Sequence, residues 1–174
     1  GHAIHNHDLL TRIAGDIAFL SALTTTRINE IETEDCASIS FAMASGALAT
    51  SSITLGAAGD ETRLRFVFEH LTATSGTAPY APGAQPWSFK ARAPQAQEQL
   101  DAALRKTPIE PTGFEGFFTH IALDLAGHEN QVVTLEDGAL SVALVTAIYH
   151  SARTGRQVAL PLDSSHELYK GWLP

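Results

Sequence analysis

From Cys36 to Met43 the chain is written in period two. The run CASISFAM over 36–43 places Ile39, Phe41 and Met43 on one side and Ser38, Ser40 and Ala42 on the other. That is the alternation of a strand with one face in a core. Before it, Ile17 to Thr25 is rich in β-branched and aromatic residues. After it, Ser45-Gly46 turns the chain into a hairpin partner over Ala47 to Leu55. Thr62 to Phe68 alternates again, with Leu64, Phe66 and Phe68 against Arg63, Arg65 and Val67. Glu69-His70 then turns into Leu71 to Ser75. The second faces of the middle strands are Ser, Thr and Ala rather than Lys and Glu. Small residues suit close packing, either on another subunit or on a covering layer of the same chain.

Helices flank this block. Asn6 to Leu10 reads as a helix entry, with Asn6 as cap, Asp8 suited to the positive end, and Leu9, Leu10 and Ile13 as the apolar face; Gly15 stops it. Residues 76–94 are loop-like, rich in proline, with a short strand at Trp87 to Lys90. A helix follows from Gln95 to Lys106, before Pro108 and Pro111 break the pattern. Phe114, Phe117, Phe118, Ile121 and Leu125 form one helical stripe. Thr134 to Asp137 resembles a capping box and opens a helix carrying Leu140, Leu144, Ala147 and Ile148, closed near Gly155. Val158 to Leu160 reads as a final edge strand, and the aromatic tail (Tyr169, Trp172) is expected to dock. One helix, adjacent strands, then helices predict an α+β fold with a large, mostly antiparallel sheet.

The 174 residues suit a single domain able to bury a core. A net charge of −8 with scattered basic residues offers no phosphate-neutralising patch, so nucleic acid is not an expected partner. No apolar run approaches the ~20 residues of a membrane span, and no basic n-region opens the chain. The lone Cys36 forms no internal disulfide, which fits a cytoplasmic protein, and it reads as a small buried hydrophobe before a nucleophile. The sequence contains no GxGxxG and no GxxxxGK[ST], so no cofactor-binding residues are assigned to it.

Chemistry concentrates at the start, in GHAIHNHDLL. His5 and His7 would share a face in a strand and chelate zinc, but a helix turns them about 200° apart. No metal site is therefore assigned. His5 alone suits proton transfer to or from a hydroxyl, since imidazole titrates near neutrality. The plainer alternative is a histidine that caps or packs at a helix start. Elsewhere simpler roles suffice. His120 and His128 suit surface or cap positions, and His150 a solvated one. Glu34-Asp35 suits turn chemistry, and Arg153 to Arg156 complements a helix C-terminus.

Taken together, four stretches resemble one family. AIHNHDLL is similar to its G-[ST]-H-x-x-D-L-L segment, and IETEDCASISFAMASGALAT to its strand pair. TRLRFVFEHLTAT resembles the following hairpin, and VTLEDGALSVALVTAIYHSARTGRQVAL the ending that runs E-D-G to S-a-r-t-G-r-x-V. The family is the C-terminal domain of the Gfo/Idh/MocA oxidoreductases, relatives of glucose–fructose oxidoreductase and inositol dehydrogenase. The likeness spans roughly residues 3–75 and 114–160 and leaves 76–113 unmatched.

The resemblance implies a dihydrodipicolinate-reductase-like domain, with helices on one face of the sheet and the open face making homo-dimers or tetramers. It implies that residues 1–174 are the substrate-binding and oligomerisation domain of a longer enzyme, inactive alone, whose N-terminal Rossmann domain binds NAD or NADP. The chain is then expected to begin at the cut, with Gly1-His2 a cloning remnant. The family's motif histidine falls on His5, implying proton transfer during oxidation of a sugar, cyclitol or polyol hydroxyl. Its acid falls on Asp8, a substrate contact, whereas His7 has no usual role in the family and is either a second substrate contact or nothing. Many members carry Asp or Asn four residues before the histidine, where this chain has Gly1. Some members keep the fold without turnover, so a ligand- or partner-binding regulatory role is the alternative.

Overall fold

The computed structural model describes residues 3–79 and 85–172. Expectations placed on Gly1-His2, on residues 80–84 of the proline-rich loop and on the last two residues lie outside them. The chain divides into two compact units, one of residues 1–59 with 135–174 and one of residues 60–134.

The first unit is built on a four-stranded sheet of order β3-β2-β1-β7, from Ile17–Thr25 (β1), Cys36–Met43 (β2), Leu48–Thr54 (β3) and Val158–Ala159 (β7). All its pairings are antiparallel. The hairpin turns at Gly46, whose φ of +86° lies in the left-handed region that favours glycine. The alternation in the sequence becomes the two faces of this sheet. Leu20, Ala22, Ile39, Phe41 and Met43 are buried on one, where they meet Leu144, Ala147 and Ile148 of the long helix α4 (Leu135–Thr154). Burying a large apolar side chain contributes roughly 1.5–3 kcal/mol, so this layer holds the unit together. The other face carries Phe19, Leu23 and Leu48, exposed by 44%, 71% and 83%, among rows such as Ser21–Ser40–Thr50.

Two polar devices close this unit. Asp35, just before β2, accepts backbone N–H groups from Arg27, Ile28 and Asn29, each at 2.8 Å. Those bonds, that of Asn29 foremost, hold its carboxyl well below the usual carboxylate range. Ser151 of α4 accepts the Ala22 N–H at 3.0 Å and donates to the Arg156 carbonyl at 2.6 Å. A strand donor beyond the reach of two-residue β7 is thereby satisfied.

The second unit holds a three-stranded antiparallel sheet of Arg65–Val67 (β4), Leu71–Thr74 (β5) and Ser88–Ala91 (β6), in that order. Phe66 packs between Phe68 and Trp87, with centroids at 6.3 Å and 6.0 Å. Helices α2 (Gln97–Lys106) and α3 (Gly113–Leu125) follow, α2 preceded by a 3-10 turn at Pro94–Ala96. The α+β, antiparallel character is as the sequence predicts, with the strands shared between two sheets. The Phe-rich helix forms, but its stripe is not covered: Phe114 and Phe118 are exposed by 81% and 62% and stack on each other.

Candidate functional site

Helix α1 (Ile4–Ala14) carries the histidines. It starts earlier than the sequence suggested. Ala3 stands at the N-cap with no side-chain cap, and Asn6 lies inside the first turn. Gly15 ends it with φ +85°, its N–H on the Thr11 carbonyl. The helix is also rotated from the expected face. Leu10 and Ala14 pack on the core, whereas Ile13 is 38% exposed. His7 is in register with Leu10 and Ala14 and takes the remaining inward position, only 4% exposed.

This rotation separates the predicted residues. His5 and Asp8 are exposed and three residues apart, hence neighbours on the outer side of the helix. His7 points the other way. Its Nε2 shares a hydrogen bond of 3.0 Å with Ser51 Oγ on β3, and its ring meets Phe41 edge-on at 5.5 Å. Burial strips water from the charged form and lowers its pKa from 6.5 to about 4, so the ring is neutral near pH 7. The sequence reading gave His7 a substrate contact; the structure gives its ring partners inside the domain. His5 and His7 do not converge, and among the described residues no group of three or more His, Cys, Asp or Glu is placed to hold a metal ion.

The remaining candidates have structural partners. Asp35 closes the loop before β2, and Glu34 accepts the Tyr149 hydroxyl at 2.6 Å. Burial first, and then that carboxylate, push the Tyr149 pKa up to about 12. Cys36 lies 3.6 Å from Thr54 Oγ1. His120 Nδ1 accepts the Gln131 N–H at 3.1 Å, and the His128 N–H bonds the Leu123 carbonyl past the end of α3.

A second cluster escaped the sequence reading. His150 is not solvated: its Nδ1 lies 3.0 Å from Glu167 Oε1, with 19% of the side chain exposed, and its ring meets His166 edge-on at 4.7 Å. With Thr154 and Arg156 these residues line an open cleft of roughly 600 Å³. Nothing in the spacing of 163–172 signals it, because turns in that segment, not a periodic element, bring His166 and Glu167 to α4. The tail docks through Trp172, whose Nε1 donates to Thr146 Oγ1 at 3.0 Å and whose ring meets Tyr149 at 4.8 Å; Tyr169 stays 58% exposed.

Residues 1–74 match the family described as the GFO/IDH/MocA C-terminal domain. No curated protein matches the chain. Among solved structures, the WlbA dehydrogenase from Chromobacterium violaceum, in complex with NADH and UDP-GlcNAcA, is similar at 28% identity and TM-score 0.70, over 94% of this chain and 46% of that one. The WlbA dehydrogenase from Bordetella pertussis, with the same two ligands, is similar at 23% identity and TM-score 0.69, over 94% and 44%. The aldose-aldose oxidoreductase from Caulobacter crescentus, complexed with glycerol, is similar at 20% identity and TM-score 0.68, over 91% and 46%. The chain thus spans less than half the length of these relatives. No described helix is long and apolar enough to cross a membrane.

Proposed function

We propose, on the premise that residues 1–74 are a GFO/IDH/MocA C-terminal domain, that this chain is the substrate side of a nicotinamide-dependent oxidoreductase. Its substrate is a sugar, cyclitol or related polyol. The observation that carries the reading is the exposed His5–Asp8 edge of α1, inside the matched segment and in the motif's spacing. A ring nitrogen of His5 accepts the proton of a substrate hydroxyl, which raises the electron density that expels hydride from the same carbon. The cofactor, when bound, accepts that hydride. Asp8, one turn along, is placed to orient a neighbouring hydroxyl. The chain has no glycine-rich dinucleotide fingerprint, so the reading assigns NAD or NADP to a preceding Rossmann domain and predicts that residues 1–174 alone turn nothing over.

The test is turnover by the full-length protein, followed as reduction of NAD or NADP. The two WlbA structures hold UDP-GlcNAcA, which makes sugar nucleotides the first probes, with free aldoses and inositol as the second set. Reduction dependent on one sugar class is the expected result. Failure with every sugar and both cofactors, by protein that binds cofactor, would leave the regulatory reading in its place.

The sheet face with Phe19, Leu23 and Leu48 is proposed as a homo-oligomer surface. Leu23→Glu, which plants a charge among those residues, is expected to convert a dimer or tetramer to a smaller species by light scattering. An unchanged mass would remove this face from the assembly.

A further inference from the structure

We propose that His7 is a positioning residue: its hydrogen bond to Ser51 fixes the height and rotation of α1 on the sheet, and through them the placement of His5. The proposal rests on the catalytic reading of His5 given above. His7 occupies a core-facing position between Ala3 and Leu10, where an aliphatic side chain would bury without penalty. An imidazole there must give up water and needs a partner. Ser51 is its counterpart on β3. Along that strand Thr50 and Ser52 face solvent, while Ala49, Ser51 and Ile53 turn inward. Two polar groups set into facing apolar surfaces, 44 residues apart, therefore meet each other at 3.0 Å.

The consequence is directional. Apolar contacts let a helix slide and turn on a sheet, whereas a hydrogen bond holds its atoms to a narrow range of distance and angle. The first turn of α1 needs that hold. It has no side-chain cap at Ala3, so its leading N–H groups gain nothing from the usual restraint on a helix start. His7 is the residue of this turn fixed to the sheet, and Phe41 against the ring edge sets its plane. His5 stands two residues away on the outer side, where a small rotation of α1 moves it most.

The experiment compares His7→Phe, Ser51→Ala and Ser51→Thr in the full-length protein, with His5→Ala as reference. Phenylalanine keeps an aromatic ring at the position, and threonine keeps the hydroxyl. His7→Phe and Ser51→Ala are expected to speed amide exchange in the first two turns of α1 about tenfold, with α4 unchanged. They are expected to lower kcat about tenfold, with KM held within about twofold. Ser51→Thr retains both wild-type values. Unchanged exchange in α1 overturns the proposal. So does loosening of α1 without loss of kcat while His5→Ala is impaired, because His7 then anchors without positioning. Normal kcat in His5→Ala strikes the catalytic reading itself, whatever α1 does.

Discussion

His5→Ala is expected to lower kcat/KM of the full-length protein at least about a hundredfold, since a positioned general base supplies roughly 10²–10⁴ of rate. The loss should appear with cofactor affinity and thermal stability unchanged. The structure explains why the two can be separated. His5 is exposed on the outer side of α1, and alanine is the best helix former. A variant that folds, binds cofactor and fails to transfer hydride assigns the proton to His5. Near-wild-type kcat/KM would remove it from the mechanism and leave Asp8 as the acid–base group on that edge.

The second large effect concerns stability and pH. His7 has a folded pKa of about 4 against 6.5 for a free imidazole. The unfolded chain therefore binds the proton more readily. Stability from this residue is fully present above about pH 6.5 and is lost as pH falls through about pH 4. The loss between about pH 7.5 and about pH 4.5 is expected to be about 2–3 kcal/mol, on the scale of 1.36 kcal/mol per pKa unit. Burial is the larger cause of the lowered pKa and the positive charge at the start of the chain the smaller, while Phe41 and Ser51, which flank the ring, do not titrate in this window. Urea unfolding of wild type and His7→Phe at both pH values isolates the term, because carboxylate contributions cancel in the difference. Equal pH dependence in the two proteins would show that the ring can take up its proton without leaving the sheet.

Strands were more legible than helix faces. β2 ends where the alternation ends and β1 spans the β-branched and aromatic run, because such runs, period two and a turn residue are local signals. α1 was harder. Asn6 is a good cap by type, yet the turn closes on the Ala3 carbonyl because the register that seats Leu10 and Ala14 on the core sets the helix. Nothing local marks His7 as a core residue, and the sequence makes it a substrate contact. Its inward position depends on a hydroxyl 44 residues away, which no local window contains. Asp35 was read correctly as turn chemistry, since a short acid before a strand commonly binds nearby N–H groups. The His150–Glu167 cluster had no such cue.

Ser151 also bears on the exposed backbone border of β1. β7 is two residues long and pairs with Phe19 and Leu20, so among the described residues the rest of that side of β1 has no strand beside it. Such a border is a template for edge-to-edge addition and fibrous aggregation. The Ser151 hydroxyl already holds the Ala22 N–H, the next inward donor on that border. An arriving segment would have to displace a side chain that is itself anchored to the Arg156 carbonyl. A single serine at the end of α4 thus occupies one backbone donor on that border, in the place a neighbouring strand would take.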